Sequence, residues 1–366
     1  MNKLPKWADL GLVPLINVAL AFGISMLVIL AIGGDPVEAI KVMVEGAVGS
    51  SYAWGYTLYF TTSFLFTGLS VTVAYHASQF NIGSEGQAQL GGLGVALVCL
   101  AVPWPHWALA LPAAMIGAAL FGLLWALIPA WLQAKRGSHI VITTIMFNYI
   151  ASALLVYLLG GVLKPEGSSD PATARFGPGA HLPALNEVPG LGMLFANNTP
   201  VNISFFVAVL ACVAVWFLLF RSRLGYEIRA YGKSESAAIY AGISPTKVIV
   251  IAMLISGGLA GMMAINNVMG ESERLVLNSA EGAGFIGIAV ALMGRNHPFG
   301  VFIAALLFGM LYQGGGELGL WTSIPIELRI VLQGLVILFT GALNGMSERA
   351  VIWVFAKLSA KQGAQA

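Results

Sequence analysis

Two acids in this sequence combine a reactive side chain with suggestive spacing. Glu85 lies in Asn81-Ile82-Gly83-Ser84-Glu85-Gly86-Gln87, and Glu281 lies in Asn278-Ser279-Ala280-Glu281-Gly282. In each, an asparagine precedes a Glu-Gly pair that opens a glycine-rich apolar run. An ionised carboxylate at mid-bilayer costs at least about 2–3 kcal/mol, so an acid in such a place is a candidate proton carrier or a border of a polar path. A structural cap is the competing role. At a helix start a carboxylate is stabilised by unpaired N–H groups and the dipole, and Ser84 with Gln87 has capping-box spacing. The cap reading is favoured, and Asn81, Ser84, Glu85, Gln87, Asn278 and Glu281 are the expected path-bordering residues.

Other chemistry finds no support in the pattern. Gly232-Lys233-Ser234 invites a phosphate-loop reading, but the glycine required five residues before Gly232 is Glu227. His76, His106, His139, His181 and His297 are scattered at the ends of apolar runs, where interfacial snorkelling accounts for them. Cys99 and Cys212 each sit inside an apolar stretch and read as small buried hydrophobes rather than a disulfide or metal pair. No metal site or catalytic residue is expected, and a net charge of +2 gives no reason to expect a nucleic-acid partner.

The elements that must position these residues are membrane helices. Hydrophobic residues make up 58% and charged residues 9% of the 366 positions, too little charge to cover a water-soluble surface. Apolar runs lie near 12–32, 58–76, 86–102, 107–132, 140–160, 203–220, 246–270, 282–294, 299–313 and 328–345, giving about ten spans in a single membrane domain, residues 1–366. The first run follows Lys3 and Lys6, is long enough to span and lacks a small-residue cleavage site, so it reads as a retained helix. With the N-terminus inside, all 18 lysines and arginines except Lys41, Lys164, Arg175, Arg274 and Arg329 fall on the cytoplasmic side. Both termini are therefore expected in the cytoplasm. A paired error would preserve that segregation, so 282–313 reads either as two spans or as one re-entrant element.

Asp35-Pro36 starts a helix on the outer surface, with Asp35 as its cap. The longest loop, 161–202, holds six prolines and reads as either a docking surface or a tether. The inner loop 221–247 contains a short helix capped by Ser234, running through Glu235, Ser236, Ala237, Ala238, Ile239, Tyr240 and Ala241 and stopped by Gly242. Its small residues Ala237, Ala238 and Ala241 would let another protein approach. The two Asn…Glu-Gly motifs open the third and eighth spans. That odd offset is what an inverted repeat requires, and such repeats place polar paths at their interface.

At this point the sequence resembles the permease subunits of ATP-binding-cassette importers, in the branch that serves nucleosides and simple sugars and is related to branched-chain amino acid permeases. The residues that carry the likeness are Phe80 through Gln87, Arg229 through Ser234 with Ala241-Gly242-Ile243-Ser244, and Gly287 through Pro298. The resemblance implies an all-α membrane fold of the larger-bundle (type II) importer kind, with about ten spans in two inverted-topology halves. It implies a bacterial inner-membrane location and a pair of permeases, either different related chains or a homodimer. It also implies cytoplasmic ATPase subunits that bind ATP and Mg, docked on the coupling helix Ser234 to Gly242, and an extracytoplasmic binding protein that delivers substrate. This chain itself would hold no cofactor. Set against it, on the residues alone, stand a proton-coupled secondary transporter using Glu85 or Glu281, and a channel.

Overall fold

A computed structural model describes residues 13–322, 324–325, 327–339 and 352, and they fold almost entirely into α-helices. In chain order these are α1 (Val13–Ala31), α2 (Pro36–Val48), α3 (Ser51–His76), α4 (Ser84–Ala101), α5 (Trp107–Arg136), α6 (Ile140–Tyr157), α7 (Ser204–Arg221), α8 (Arg223–Lys233), α9 (Glu235–Tyr240), α10 (Pro245–Met262), α11 (Ala283–Met293), α12 (Pro298–Trp321) and α13 (Leu328–Ile337). π-turns extend α6 over Leu158–Val162 and follow α10 over Ile265–Met269. Each apolar stretch marked in the sequence has a helix over it. Those over 58–76 and 299–313 run longer than expected, because α3 begins at Ser51 and α12 continues to Trp321. Lys3, Lys6, Arg349, Lys357 and Lys361, with the last part of the expected span 328–345, lie outside the described residues.

Among the described residues, α3, α5, α6, α7, α10 and α12 are long and apolar enough to cross a membrane, and α1, α11 and α13 are shorter apolar helices. The chain is thus an all-α, multi-pass membrane protein. It divides into two compact units, 48–309 and 1–47 with 310–366.

In the second of these, Asp35 caps α2 as expected, its Oδ1 accepting the Val37 N–H at 2.8 Å. α1 packs on α13. Gly314 of α12 lies so close to Met43 that a Cβ there would sit 2.2 Å from the Met43 carbonyl oxygen. The Arg329 guanidinium stands over the Tyr312 ring at 4.4 Å, a cation–π contact.

Within 48–309, α3 is the central post, buried at almost every residue from Thr57 to Ala74. A span this rich in hydroxyls is stable because protein rather than lipid surrounds it and because its hydroxyls find partners. Thr61, Thr62 and Thr67 each donate to the carbonyl four residues back, at 2.7, 2.8 and 3.1 Å. Around it, α4, α5 and α10 pack backbone against backbone. A Cβ at Gly91 would lie 2.4 Å from the Gly261 Cα, and one at Gly261 only 2.2 Å from the Ala118 carbonyl oxygen. Without a hydrophobic drive between helices in lipid, such close approach supplies the association energy.

The 161–202 loop is folded against the bundle. Ala172 bridges Val276, the Phe176 N–H donates to the Glu273 carbonyl at 2.8 Å, and Leu182, Leu185 and Val201 are buried. His181 lies between two carboxylates: Nδ1 faces Glu273, Nε2 lies 3.2 Å from Glu187 Oε2, and Arg175 also faces Glu273. The bond to Glu273, reinforced by the one to Glu187, holds His181 above its ordinary pKa despite its partial burial. The loop packs at the Ser51 end of α3, where Tyr59 joins Leu185 and Val201, while α8 packs at the His76 end through Gly232.

This packing sets two expectations. Gly261→Val meets backbone that cannot give way, so it should destabilise by at least about 1–3 kcal/mol. Gly258→Ala, whose nearest neighbour is 3.6 Å away, should leave the melting temperature in detergent nearly unchanged. Because the folded pKa of His181 is raised, its clamp is complete below the unfolded value and is lost as pH rises through the folded one. Limited proteolysis of 161–202 should therefore quicken as pH rises through the raised His181 pKa, and His181→Gln should abolish that dependence.

Candidate functional site

The polar motif of the sequence folds into a re-entrant turn. After α3 ends at His76 the chain doubles back, and Ser84, the first residue of α4, places its Oγ 3.2 Å from that of Ser70. Ser70 is about 9 Å short of the end of α3, at 1.5 Å of rise per residue. Asn81 pins the turn. Its Nδ2 donates to Gln87 Oε1 and Ser256 Oγ, both at 2.8 Å, and its Oδ1 accepts the Gly83 N–H at 2.9 Å. Asn148 of α6 accepts the Gly86 N–H and donates to the Ile82 carbonyl, both at 2.9 Å. Ser256 Oγ in turn donates to the Ser70 carbonyl at 2.8 Å.

This arrangement replaces the expected capping box. The N-cap of α4 is Gly83, with no side-chain cap; Ser84 faces Ser70, and Gln87 is occupied by Asn81. The reason is tertiary: Asn148 comes from a helix distant in sequence and takes the first-turn N–H that a local cap would satisfy.

α11 begins at the same depth. A Cβ at Gly284 would lie 2.3 Å from the backbone N of Glu85, and one at Gly287 would lie 2.5 Å from Thr67 Oγ1. From there α11 follows α3 toward its end, where His76 Nε2 donates to the Asn296 carbonyl at 2.9 Å. α4 runs the other way. α10 is antiparallel to α3, with Ser256 beside Ser70 and Asn266 beside Ser63 and Tyr59, and α4 follows α10 from Ser256 to Gly261. Two helices of opposite direction thus start together inside the bundle, the geometry an inverted repeat produces.

Glu85 joins them. Its Oε1 accepts the Gly282 N–H at 2.9 Å and its Oε2 the Gly284 N–H at 2.8 Å, so this carboxylate in the first turn of α4 caps α11 instead. Glu281, its counterpart in the repeat, does something else. It is exposed, as is Asn278, and both have left-handed backbones, with φ of 49° and 57°. The N-cap of α11 is Gly282, at φ 80°. Each non-glycine residue held in that region costs roughly 1–3 kcal/mol. The two bonds to the Glu85 carboxylate, at about 1.5–3 kcal/mol each, are of the size needed to hold the turn, and Asn267 adds a donor to the Ser279 carbonyl.

The expected path residues therefore separate into three settings. Asn81, Ser84 and Gln87 are shut inside a satisfied network, at 0, 0 and 1% exposure, Glu85 is buried between the helix starts, and Asn278 and Glu281 are exposed. Sequence reasoning missed Asn148, Ser256, Asn266 and Asn267. Asn266 donates to the Tyr59 carbonyl and to Ser63, and accepts from Asn202 and Ser204, tying the π-turn to α3 and α7. The available signal was a lone amide or hydroxyl within an apolar span, where unpaired polar groups are expensive.

At the His76 end, α9 forms as expected, with Ser234 Oγ accepting the Ala237 N–H at 3.4 Å and Gly242 in the left-handed region at φ 81°. Its three alanines do not form one surface. Ala238 is buried, whereas Glu235, Ser236, Ala237, Ile239, Tyr240 and Ala241 are exposed. Gly232 has a packing role, since a Cβ there would lie 2.1 Å from the His76 carbonyl oxygen.

Known proteins match this sequence along most of its length. The family described as the branched-chain amino acid transport system / permease component matches residues 54–341. The guanosine ABC transporter permease protein NupP of Bacillus subtilis is 35% identical over 96% of this chain and 97% of its own. The glucose ABC transporter permease protein TsgB13 of Haloferax volcanii is 34% identical over 92% of this chain and 88% of its own. The nucleoside ABC transporter permease protein NupB of Lactococcus lactis subsp. cremoris is 32% identical over 90% of each. With a family match across most of the bundle and relatives aligned nearly end to end, the chain belongs to the permease components of the branched-chain amino acid transport family.

Proposed function

We propose that this chain is the non-catalytic membrane subunit of an ATP-driven importer for nucleosides or simple sugars, working by alternating access in a bacterial inner membrane with both termini in the cytoplasm. One observation carries the pathway reading: Asn278 and Glu281 stand exposed on a strained turn where two oppositely directed helices start within the bundle. Polar groups at that depth do not face lipid, so the turn borders a polar path or the second permease of the pair. An amide and a carboxylate suit the hydroxyls of an uncharged sugar or nucleoside, the substrate classes named for NupP, NupB and TsgB13.

The α9 face with Ile239 and Tyr240 exposed is the proposed contact for the cytoplasmic ATPase, which binds the ATP and Mg. The folded 161–202 loop at the opposite end is the proposed seat for an extracytoplasmic binding protein. Proton carriage at Glu85 is disfavoured, because both carboxylate oxygens accept backbone N–H groups, and such bonds are stronger to the ionised form than to the protonated one.

Purification from the native membrane should recover a cassette ATPase with the wild-type chain. An Ile239→Asp, Tyr240→Ala variant, altered on the exposed face rather than at buried Ala238, should lose it. A folded wild-type chain that brings down no ATPase overturns the importer reading. Competition between guanosine and glucose for uptake by the complete transporter then assigns the substrate class. A thiol at Asn278→Cys should react with a membrane-impermeant reagent and be protected by the transported compound; Cys99 and Cys212 are buried and add little background.

A further inference from the structure

The pathway reading places the 278–282 turn at the polar path, and side chains from other helices fasten this turn to the bundle. Asn278, Glu281 and Gly282 all lie in the left-handed region, and the local bonds are two short turns, the Glu281 N–H donating to the Asn278 carbonyl at 3.0 Å and the Ala283 N–H to the Ala280 carbonyl at 2.9 Å. Two buried side chains from other helices anchor these turn bonds to the bundle. Asn267 of the π-turn donates to the Ser279 carbonyl, and Glu85 of α4 accepts the Gly282 and Gly284 N–H groups through separate oxygens. Glu85 is only 5% exposed. Its own backbone lies against Gly284, so α4 and the start of α11 are held together by side chain and main chain at the same point.

We infer that Glu85 is a positioning residue for the substrate path: it acts through the Gly282 and Gly284 N–H groups to fix the orientation of Asn278 and Glu281. This rests on the pathway reading and goes beyond it. The residue that governs substrate affinity is then one that touches no substrate and belongs to the opposite inverted half. Length and charge are both required. Glutamine keeps the length but presents an N–H to one of the two donors, aspartate is one methylene short of a carboxylate shared between two N–H groups, and alanine removes the tie.

The test uses the complete transporter in proteoliposomes, with Asn278→Cys as reporter and Ser279→Cys as a second reporter whose backbone is not left-handed. With Glu85 intact, the Asn278→Cys thiol should react with a membrane-impermeant methanethiosulfonate. Glu85→Gln should change the reaction rate at one or both reporters by roughly tenfold, the factor expected for one lost hydrogen bond to a charged group. Cys99 and Cys212 should stay unreactive, showing that the fold persists. The KM for guanosine or glucose, whichever is transported, should rise more than Vmax falls, in the order Glu85→Gln before Glu85→Ala.

If neither reporter is labelled while Glu85 is intact, the pathway reading fails and this inference fails with it. If the reporters are labelled and substrate-protected but Glu85→Gln leaves rates and KM unchanged, the inference alone is overturned. It is overturned equally if the only effect is a lower yield of folded protein.

Discussion

A helix that begins inside an apolar bundle leaves its first backbone N–H groups without water, and no bundle tolerates several such groups unpaired. Two helices begin that way here, side by side and in opposite directions. α4 is served by Asn148 at the Gly86 N–H, while Asn81 holds Gly83 just before it. α11 is served by Glu85. The dipoles of both helix starts point toward that carboxylate, which accounts for a nearly buried acid in a membrane protein. The inverted arrangement, the re-entrant turn and the 278–282 turn with its exposed Asn278 and Glu281 all draw on this exchange of donors and acceptors.

Polar side chains act as ties throughout the 48–309 unit. Ser70, Ser256 and Asn81 join α3, α4 and α10, and Asn266 with Asn202 and Ser204 joins α3, α7 and the π-turn. Glycines let the same helices approach to backbone contact, which shortens these polar bridges and excludes lipid from them. α3 therefore tolerates a hydroxyl-rich sequence that would be costly facing lipid. The same packing explains Gly232, which reads as part of a phosphate loop in one dimension and is a contact surface on α3 in three.

The two ends of α3 carry different equipment. At one, the proline-rich loop docks through main-chain bonds to 273–276 and a histidine clamped by two carboxylates. At the other, α8 and the capped α9 present a short exposed face. Motion coupled between these ends would pass through α3 and α10, which meet along most of their lengths and carry both polar networks.

By itself the sequence determined the class and the placement of the helices. A charged fraction of 9% excludes a soluble surface, and apolar runs of bilayer length mark the spans whatever their partners. The caps Asp35 and Ser234 and the stop at Gly242 were legible because their chemistry is local, confined to a few consecutive residues. The repeated Asn…Glu-Gly motif also pointed to two related helix starts. Only the tertiary structure decided what those motifs do. Glu85 caps a helix about two hundred residues away, as the 197-residue separation from Gly282 shows, and Gln87 pairs with Asn81 rather than with its own helix end. Ala238 turns inward while Ala237 stays exposed. No local pattern encodes these choices, because a buried donor is satisfied by whichever acceptor packing brings within hydrogen-bond reach, and packing is a property of the whole bundle.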